Sequence, residues 1–228
     1  MNNKLPKSNM RQVAVLGLGR FGTELTKALY NSGCEVLAVD QNEDRIYEIA
    51  DNATHAVATN VAEESNLRQI GITEFDGVVI AIGDNIQASI ITALNCKEMG
   101  CNYIVAKAQN AKHARVLEKI GVDYVIIPEA DSAVKTARLL TQPQISDIVD
   151  ITSNYSIAQV AVPDDWAGKK LSEMNLRNRF DVNVLIVISG SGVNSMPSGE
   201  TTFARGDKMV IGGESDSIKS FADRIAKG

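Results

Sequence analysis

The sequence predicts an α/β protein, a doubly wound parallel sheet followed by a small α+β domain. Three observations lead there. The run Val13-Ala14-Val15-Leu16 ends in Gly17-Leu18-Gly19-Arg20-Phe21-Gly22 and flows into a helical pattern. Apolar strand-like runs and helical runs then alternate with short connections, as βα units do. Around Thr141-Gln142-Pro143-Gln144 that rhythm stops, and alternating half-buried strand patterns begin.

In chain order, strands are predicted over residues 12–16, 35–39, 54–59, 77–82, 103–107 and 123–127. Helices are predicted over 20–32, 42–52, 63–70, 84–99, 110–120 and 130–142. The strands are continuous apolar runs, such as Val78-Val79-Ile80-Ala81-Ile82, and a strand with no polar face is covered on both sides. Six such units make a complete Rossmann domain. Pro143 ends the last helix, because proline has no N–H for the ladder. Beyond it, Ile148–Thr152 and Ser156–Val162 read as strands, and 171–179 as a short polar helix. Val182–Ile188 is a strong strand, Gly190-Ser191-Gly192 a turn, and Lys208–Ile211 a further strand. From Ser215 a closing helix puts Ile218, Phe221, Ala222 and Ile225 on one face. The expected division is 1–142 for the Rossmann domain with its last helix, 143–150 for a linker, and 151–228 for an α+β domain of four or five strands.

Composition excludes several classes. With 44% hydrophobic residues in 228, the chain can bury a core and is not disordered. A net charge of −5, with both signs mixed along the chain, argues against nucleic acid as a main partner. Cys34, Cys96 and Cys101 form no metal or redox spacing and suit small buried thiols in a reducing cytoplasm. The N-terminus is polar, without a signal-peptide pattern, and no apolar run approaches a membrane span. Any membrane connection is therefore expected to pass through a partner.

The glycine triplet carries the functional reading. Gly17 allows the tight turn, Gly19 lets backbone approach a phosphate, and Gly22 lets the helix pack on the strand. The helix N-terminus offers free N–H groups and a positive dipole end to an anion. Asp40 ends the second strand at the fingerprint's usual distance, where a carboxylate accepts ribose hydroxyls and repels a 2′-phosphate. It reads equally as a helix N-cap for the segment starting at Asn42. Ligands of this fold sit outside the carboxyl ends of the strands. That makes Thr59, Asn60, Ile82, Gly83, Asp84, Asn85, Lys107, Pro128 and Glu129 candidates. Asn60 suits an adenine edge and Lys107 a phosphate, although Asn60 and Asp84 also resemble helix caps and Lys107 a solvated strand end. Arg20, inside the loop, can reach phosphate oxygens of its own site or of a neighbouring subunit.

No catalytic group accompanies this receptor. His55 opens the third strand at the end away from the crevice, and His113 reads as a solvated or packing residue of its helix. Tyr103-x-x-x-Lys107 has the spacing of a hydride-transfer pair, but on a strand those side chains are far apart. A small NAD-dependent oxidoreductase is thus the weaker alternative to a non-enzymatic nucleotide sensor. A redox-sensing transcription factor is weaker still, because the second domain is not basic.

A wider set of segments resembles one family: Val36-Leu37-Ala38-Val39-Asp40, Ala53-Thr54-His55-Ala56-Val57, Ala81-Ile82-Gly83, Val105-Ala106-Lys107-Ala108-Gln109-Asn110 and Ile127-Pro128-Glu129, together with the glycine loop. They resemble the RCK-domain regulators of potassium transport, of the KtrA, KtrC and TrkA kind. The resemblance runs over almost the whole chain. The glycine loop as written and the single-copy length are closer to the Ktr branch.

That resemblance implies octameric rings of dimers on the cytoplasmic face of a separate membrane potassium transporter subunit, of the KtrB, KtrD or TrkH kind. It implies ATP and ADP competing for the Rossmann site, with NAD/NADH the alternative signal of the TrkA branch. Arg20 matches an arginine that reaches the γ-phosphate in the neighbouring subunit, and Glu129 a glutamate that helps bind an activating divalent or sodium cation. The helix at 130–142 matches a crossover exchanged between dimer partners. In the second domain, Arg177, Asn183 and Pro197 match a cyclic di-AMP site, while Asp181 and the loop Gly190–Ser195 depart from the pattern and leave dimerisation alone as the other reading.

Overall fold

The computed structural model describes residues 3–6, 8–141 and 144–225. It divides into two compact units, Met1–Asp131 and Ser132–Gly228.

The first unit holds β1 (Gln12–Leu16), α1 (Arg20–Asn31), β2 (Glu35–Asp40), α2 (Glu43–Ile49), β3 (His55–Ala58), α3 (Glu64–Gln69), β4 (Gly77–Ile80), α4 (Ile86–Glu98), β5 (Ile104–Lys107), α5 (Ala111–Ile120) and β6 (Tyr124–Ile126). The strands pair in the order β3-β2-β1-β4-β5-β6, all parallel. Order reverses between β1 and β4, so a crevice opens at their carboxyl ends. Alternate residues face opposite sides of a strand. Accordingly Ala14, Leu16, Val78 and Ile80 pack with Ala93, Cys96, Ala114 and Leu117 of α4 and α5. Val13, Val15, Val36 and Val79 pack with Leu25 and Leu29 of α1.

Three helix starts of the first unit follow asparagine chemistry. Asn42, Asn85 and Asn110 each cap a helix, their side-chain oxygens accepting the N–H of Asp44 at 2.8 Å, Ala88 at 2.9 Å and His113 at 3.0 Å. Two cap expectations therefore change. Asp84 does not cap α4; Asn85 does, and the helix begins at Ile86. Asp40 does not cap α2; Asn42 does. β4 ends at Ile80 instead of reaching residue 82.

α6 (Pro128–Thr141) leads from one unit into the next, the division falling between Asp131 and Ser132 inside the helix rather than after it. The expected stop at Pro143, and Gln142 beside it, lie outside the described residues.

The second unit is a five-stranded antiparallel sheet, order β10-β9-β11-β8-β7. Its elements are β7 (Ile145–Asp150), β8 (Tyr155–Ala161), α7 (Leu171–Met174), α8 (Leu176–Phe180), β9 (Val182–Ser189), β10 (Gly192–Asn194), β11 (Lys208–Glu214) and α9 (Ser215–Ile225). The strand expected over 148–152 runs from Ile145 to Asp150, so it takes in residues 145–147 of the expected linker; a bulge between Ile145 and Asp147 breaks the alternation that would have revealed them. The single helix expected at 171–179 is two, because Asn175 turns left-handed at φ 49°. Val160, Met209 and Ile211 form the core with Ile218, Phe221 and Ala222 of α9. Phe180 meets Phe221 edge-on at 5.1 Å.

Candidate functional site

The glycine loop sits where β1 ends between β2 and β4. Gly17 adopts φ +101° and donates its N–H to the Val39 carbonyl at 2.7 Å. A Cβ on Gly17 would lie 3.1 Å from the Ala81 carbonyl carbon and the Ile82 nitrogen. A Cβ on Gly22 would overlap the Gly17 carbonyl oxygen. A Cβ on Gly19 would meet nothing within 4 Å. Two glycines thus allow the chain to pack on itself, while the middle one faces open space.

That space lies at the N-terminus of α1. Gly19 is the N-cap residue, no side chain caps it, and the first turn carries no acidic residue. The leading N–H groups of the helix remain available, and its dipole favours an anion there. Arg20 opens the helix and is exposed. Phe21 does not face the space: it is half-buried against the sheet with Val13, Val15 and Val79.

Asp40 flanks the loop on the other side and is only 6% exposed. One carboxylate oxygen accepts the Leu18 N–H at 2.7 Å and a guanidinium N–H of Arg45 at 3.2 Å. The other accepts the Asn42 N–H at 2.9 Å. A carboxylate offers roughly four acceptor positions, so about one is left for a hydroxyl. The Leu18 and Arg45 contacts are not among those expected from the sequence. The positive charge at the fifth residue beyond Asp40 was visible as a signal. The loop amide was not.

Past β4 and β5 the residues form a second group. The Lys107 ammonium, with a side chain 14% exposed, donates to a carboxylate oxygen of Glu129 at 2.7 Å; Glu129 is 66% exposed. Lys107 holds the Glu129 carboxyl below its ordinary value, helped by the residue's own backbone N–H and the Arg20 charge. The Gln109 side-chain amide donates to the Gly83 carbonyl, and Lys107 lies beside Gly83. Gln109 was not singled out from sequence. Ile82 packs into the core rather than standing free. Thr59 donates its N–H to the Asp40 carbonyl at 2.9 Å, which places exposed Asn60 next to the end of β2. The Asn60 side-chain oxygen accepts the Ala62 N–H at 3.1 Å, a local turn rather than a helix cap. Pro128 is the first residue of α6, where its missing N–H costs nothing.

Glu129, expected to help hold a cation between subunits, is engaged within its own chain. The Glu129 carboxylate is paired with an ammonium, and among the described residues no three His, Cys, Asp or Glu side chains gather to hold a metal. His113, read as solvated or packing, is packing: it is 3% exposed. Its Nδ1 accepts the Gln109 N–H at 3.3 Å, and burial pushes its pKa down. Tyr103 precedes β5 and donates its hydroxyl to the Lys4 carbonyl, at the far end of the strand from Lys107.

In the second unit, Arg177 donates through Nε to the Asn183 side-chain oxygen at 2.8 Å, and both are exposed. Pro197 is half-buried in the loop after β10 and joins no described contact with that pair. Among the described residues no helix is long and apolar enough to cross a membrane.

The chain is similar to known proteins over most of its length. Residues 13–128 match the TrkA-N domain and residues 157–226 the TrkA-C domain. The chain is 40% identical over 211 residues to the Ktr system potassium uptake protein A of Bacillus subtilis (strain 168), covering 92% of this chain and 95% of that one. It is 36% identical over 215 residues to protein C of the same system and organism, covering 94% and 97%. The GsuK channel bound to NAD has the same fold, with a TM-score of 0.55 at 21% identity over 99% of this chain; the chain spans 40% of that channel's length. The chain belongs to the family of Ktr-type potassium uptake proteins and carries that family's TrkA-N and TrkA-C domains in one polypeptide.

Proposed function

We propose that the chain is the nucleotide-sensing regulatory subunit of a potassium uptake system, acting on a separate membrane-spanning transporter subunit and catalysing no reaction itself. The observation that carries this reading is the α1 N-terminus, uncapped and facing open space at Gly19. It is a phosphate seat with Asp40 on the ribose side and Lys107 on the other. The relatives supply the physiological context, since the two curated ones described above are potassium uptake proteins.

The signal is the ratio of ATP to ADP. ATP carries one more phosphate, and Arg20 is the cation suited to read it, from across the interface of a ring of dimers expected to be octameric. A ligand shifts a conformational equilibrium only by its differential affinity for the two states. A contact made with the third phosphate in one ring shape alone provides that difference.

A thermal-shift panel of ATP, ADP, NAD, NADH and cyclic di-AMP tests the reading, because a ligand of the native state raises its melting temperature. Stabilisation by ATP and ADP, with different ring sizes or shapes by scattering, is expected. No shift with any nucleotide would remove the sensor. A second reading, NAD or NADH as the signal, rests on the buried Asp40 carboxylate, which serves the ribose of either ligand; the same panel ranks it. Cyclic di-AMP at Arg177 and Asn183 is an extension to the second unit, and an unshifted melt with that ligand would leave the unit with dimerisation alone.

A further inference from the structure

Cys96 and Cys101 looked unrelated in sequence, four residues lying between them. The end of α4 brings them together. Gly100, at φ +82°, turns the chain left-handed; its N–H donates to the Lys97 carbonyl at 3.1 Å. The Cys101 N–H donates to the Cys96 carbonyl at 3.0 Å. These two bonds are the Schellman pair, and in that motif the side chains at the two ends of the outer bond meet. Cys96 and Cys101 occupy those positions and share one core cluster. Cys96 is 0% and Cys101 6% exposed, so Cys101 is the sulfur nearer solvent. The Cys101 S–H reaches the Ile72 carbonyl at 3.9 Å. The neighbouring Cys96 thiol, and less strongly the Lys97 ammonium, hold the Cys101 thiol below its ordinary value, while Cys101 and burial push Cys96 up.

We propose that Cys96 and Cys101 are a thiol–disulfide exchange site whose oxidant is a low-molecular-weight disulfide. The Cys101 thiolate attacks one sulfur of R–S–S–R, forming Cys101–S–S–R and releasing RS⁻. The Cys96 thiol loses its proton to that anion and attacks the Cys101 sulfur. The Cys96–Cys101 bond forms and a second RS⁻ leaves. Two protein thiols are oxidised and one external disulfide is reduced to two thiols. A dithiol reverses the sequence. The site lies at the amino end of β5, and the nucleotide crevice at the carboxyl end, so the inference stands independently of the proposed ligand.

The test uses the full chain with oxidised and reduced glutathione in graded ratios, quenched by an alkylating agent and read by intact mass and peptide mapping. Expected is an internally linked Cys96–Cys101 peptide, while Cys34, half-buried, carries at most a mixed disulfide with glutathione. Cys96→Ser should stop at one glutathione on Cys101, and Cys101→Ser should form no intramolecular bond. The oxidised protein should keep a cooperative melt and return to three thiols with dithiothreitol. The proposal is overturned if both cysteines stay alkylatable at the most oxidising ratio, if Cys101→Ser oxidises like wild type, or if oxidation occurs only with loss of the cooperative melt.

Discussion

The Asp40 carboxylate accepts the backbone N–H of Leu18 at 2.7 Å, which ties the end of β2 to the middle of the glycine loop. The residue expected to face a ribose is thus also a structural strut of the loop. Charged hydrogen bonds contribute about 1.5–3 kcal/mol, and removing a partner leaves a buried donor unpaired. Asp40→Ala should therefore lower stability by about 2–3 kcal/mol in urea unfolding, even without ligand. Unchanged stability would mean the loop holds its shape without Asp40.

Gly19 and Gly22 should respond oppositely to an added methyl group. Gly22→Ala drives a Cβ into the Gly17 carbonyl, and overpacking against backbone costs about 1–3 kcal/mol or more. Gly19→Ala meets open space and changes an N-cap position, at a cost under about 1 kcal/mol. Melting curves should show Gly19→Ala near wild type, and calorimetry should show its nucleotide affinity lost. Normal affinity in a folded Gly19→Ala protein would move the phosphate seat elsewhere.

Arg20→Ala should reduce the preference for ATP over ADP by about tenfold, one charge-assisted hydrogen bond's worth, while ADP binding stays near wild type. Titration of both nucleotides into both proteins decides it. An equal loss for ATP and ADP would place Arg20 on a shared phosphate.

His113 makes stability depend on pH. Its folded pKa is depressed by burial, so the unfolded chain binds the proton more readily. The contribution is fully present above the ordinary histidine value of about 6.5 and is lost as pH falls from there toward the folded value. The urea midpoint should drop between pH 7.5 and pH 5.5 in wild type, and drop less in His113→Gln. Equal drops would assign the dependence to other groups.

Glu129 has the same sign in a lower window. Its folded pKa is depressed by Lys107, so its contribution holds above the ordinary carboxylate range and fades as pH falls through the folded value. Glu129 is 66% exposed, and solvent screening keeps that contribution below about 1 kcal/mol. Carboxyl NMR titration of Lys107→Met should show Glu129 returning toward its ordinary value.

Much of the first unit was legible because its strands are continuous apolar runs and the glycine triplet marks where β1 ends. Val78-Val79-Ile80 could be placed by hydropathy alone. What escaped were relationships set by chain reversal. Asp84 and Asn85 are both cap residues, and only backbone geometry selects the second. Cys96 and Cys101 meet because Gly100 turns left-handed, and spacing along the chain does not carry that information. In the second unit, the bulge in β7 and the left-handed Asn175 each shift the period by which strands and helices are recognised.

α2, α4 and α5 each begin under an asparagine of their own, while α1 begins under a glycine with no side chain. α3, under Glu63, also lacks a side-chain cap but carries Glu64 in its first turn, whereas α1 has no acidic residue there; on the proposed reading an anion from solution completes α1. The backbone amides of residues 20–22 should then exchange with solvent at a rate set by ligand occupancy, so that the chain's own secondary structure becomes a gauge of the surrounding nucleotide pool.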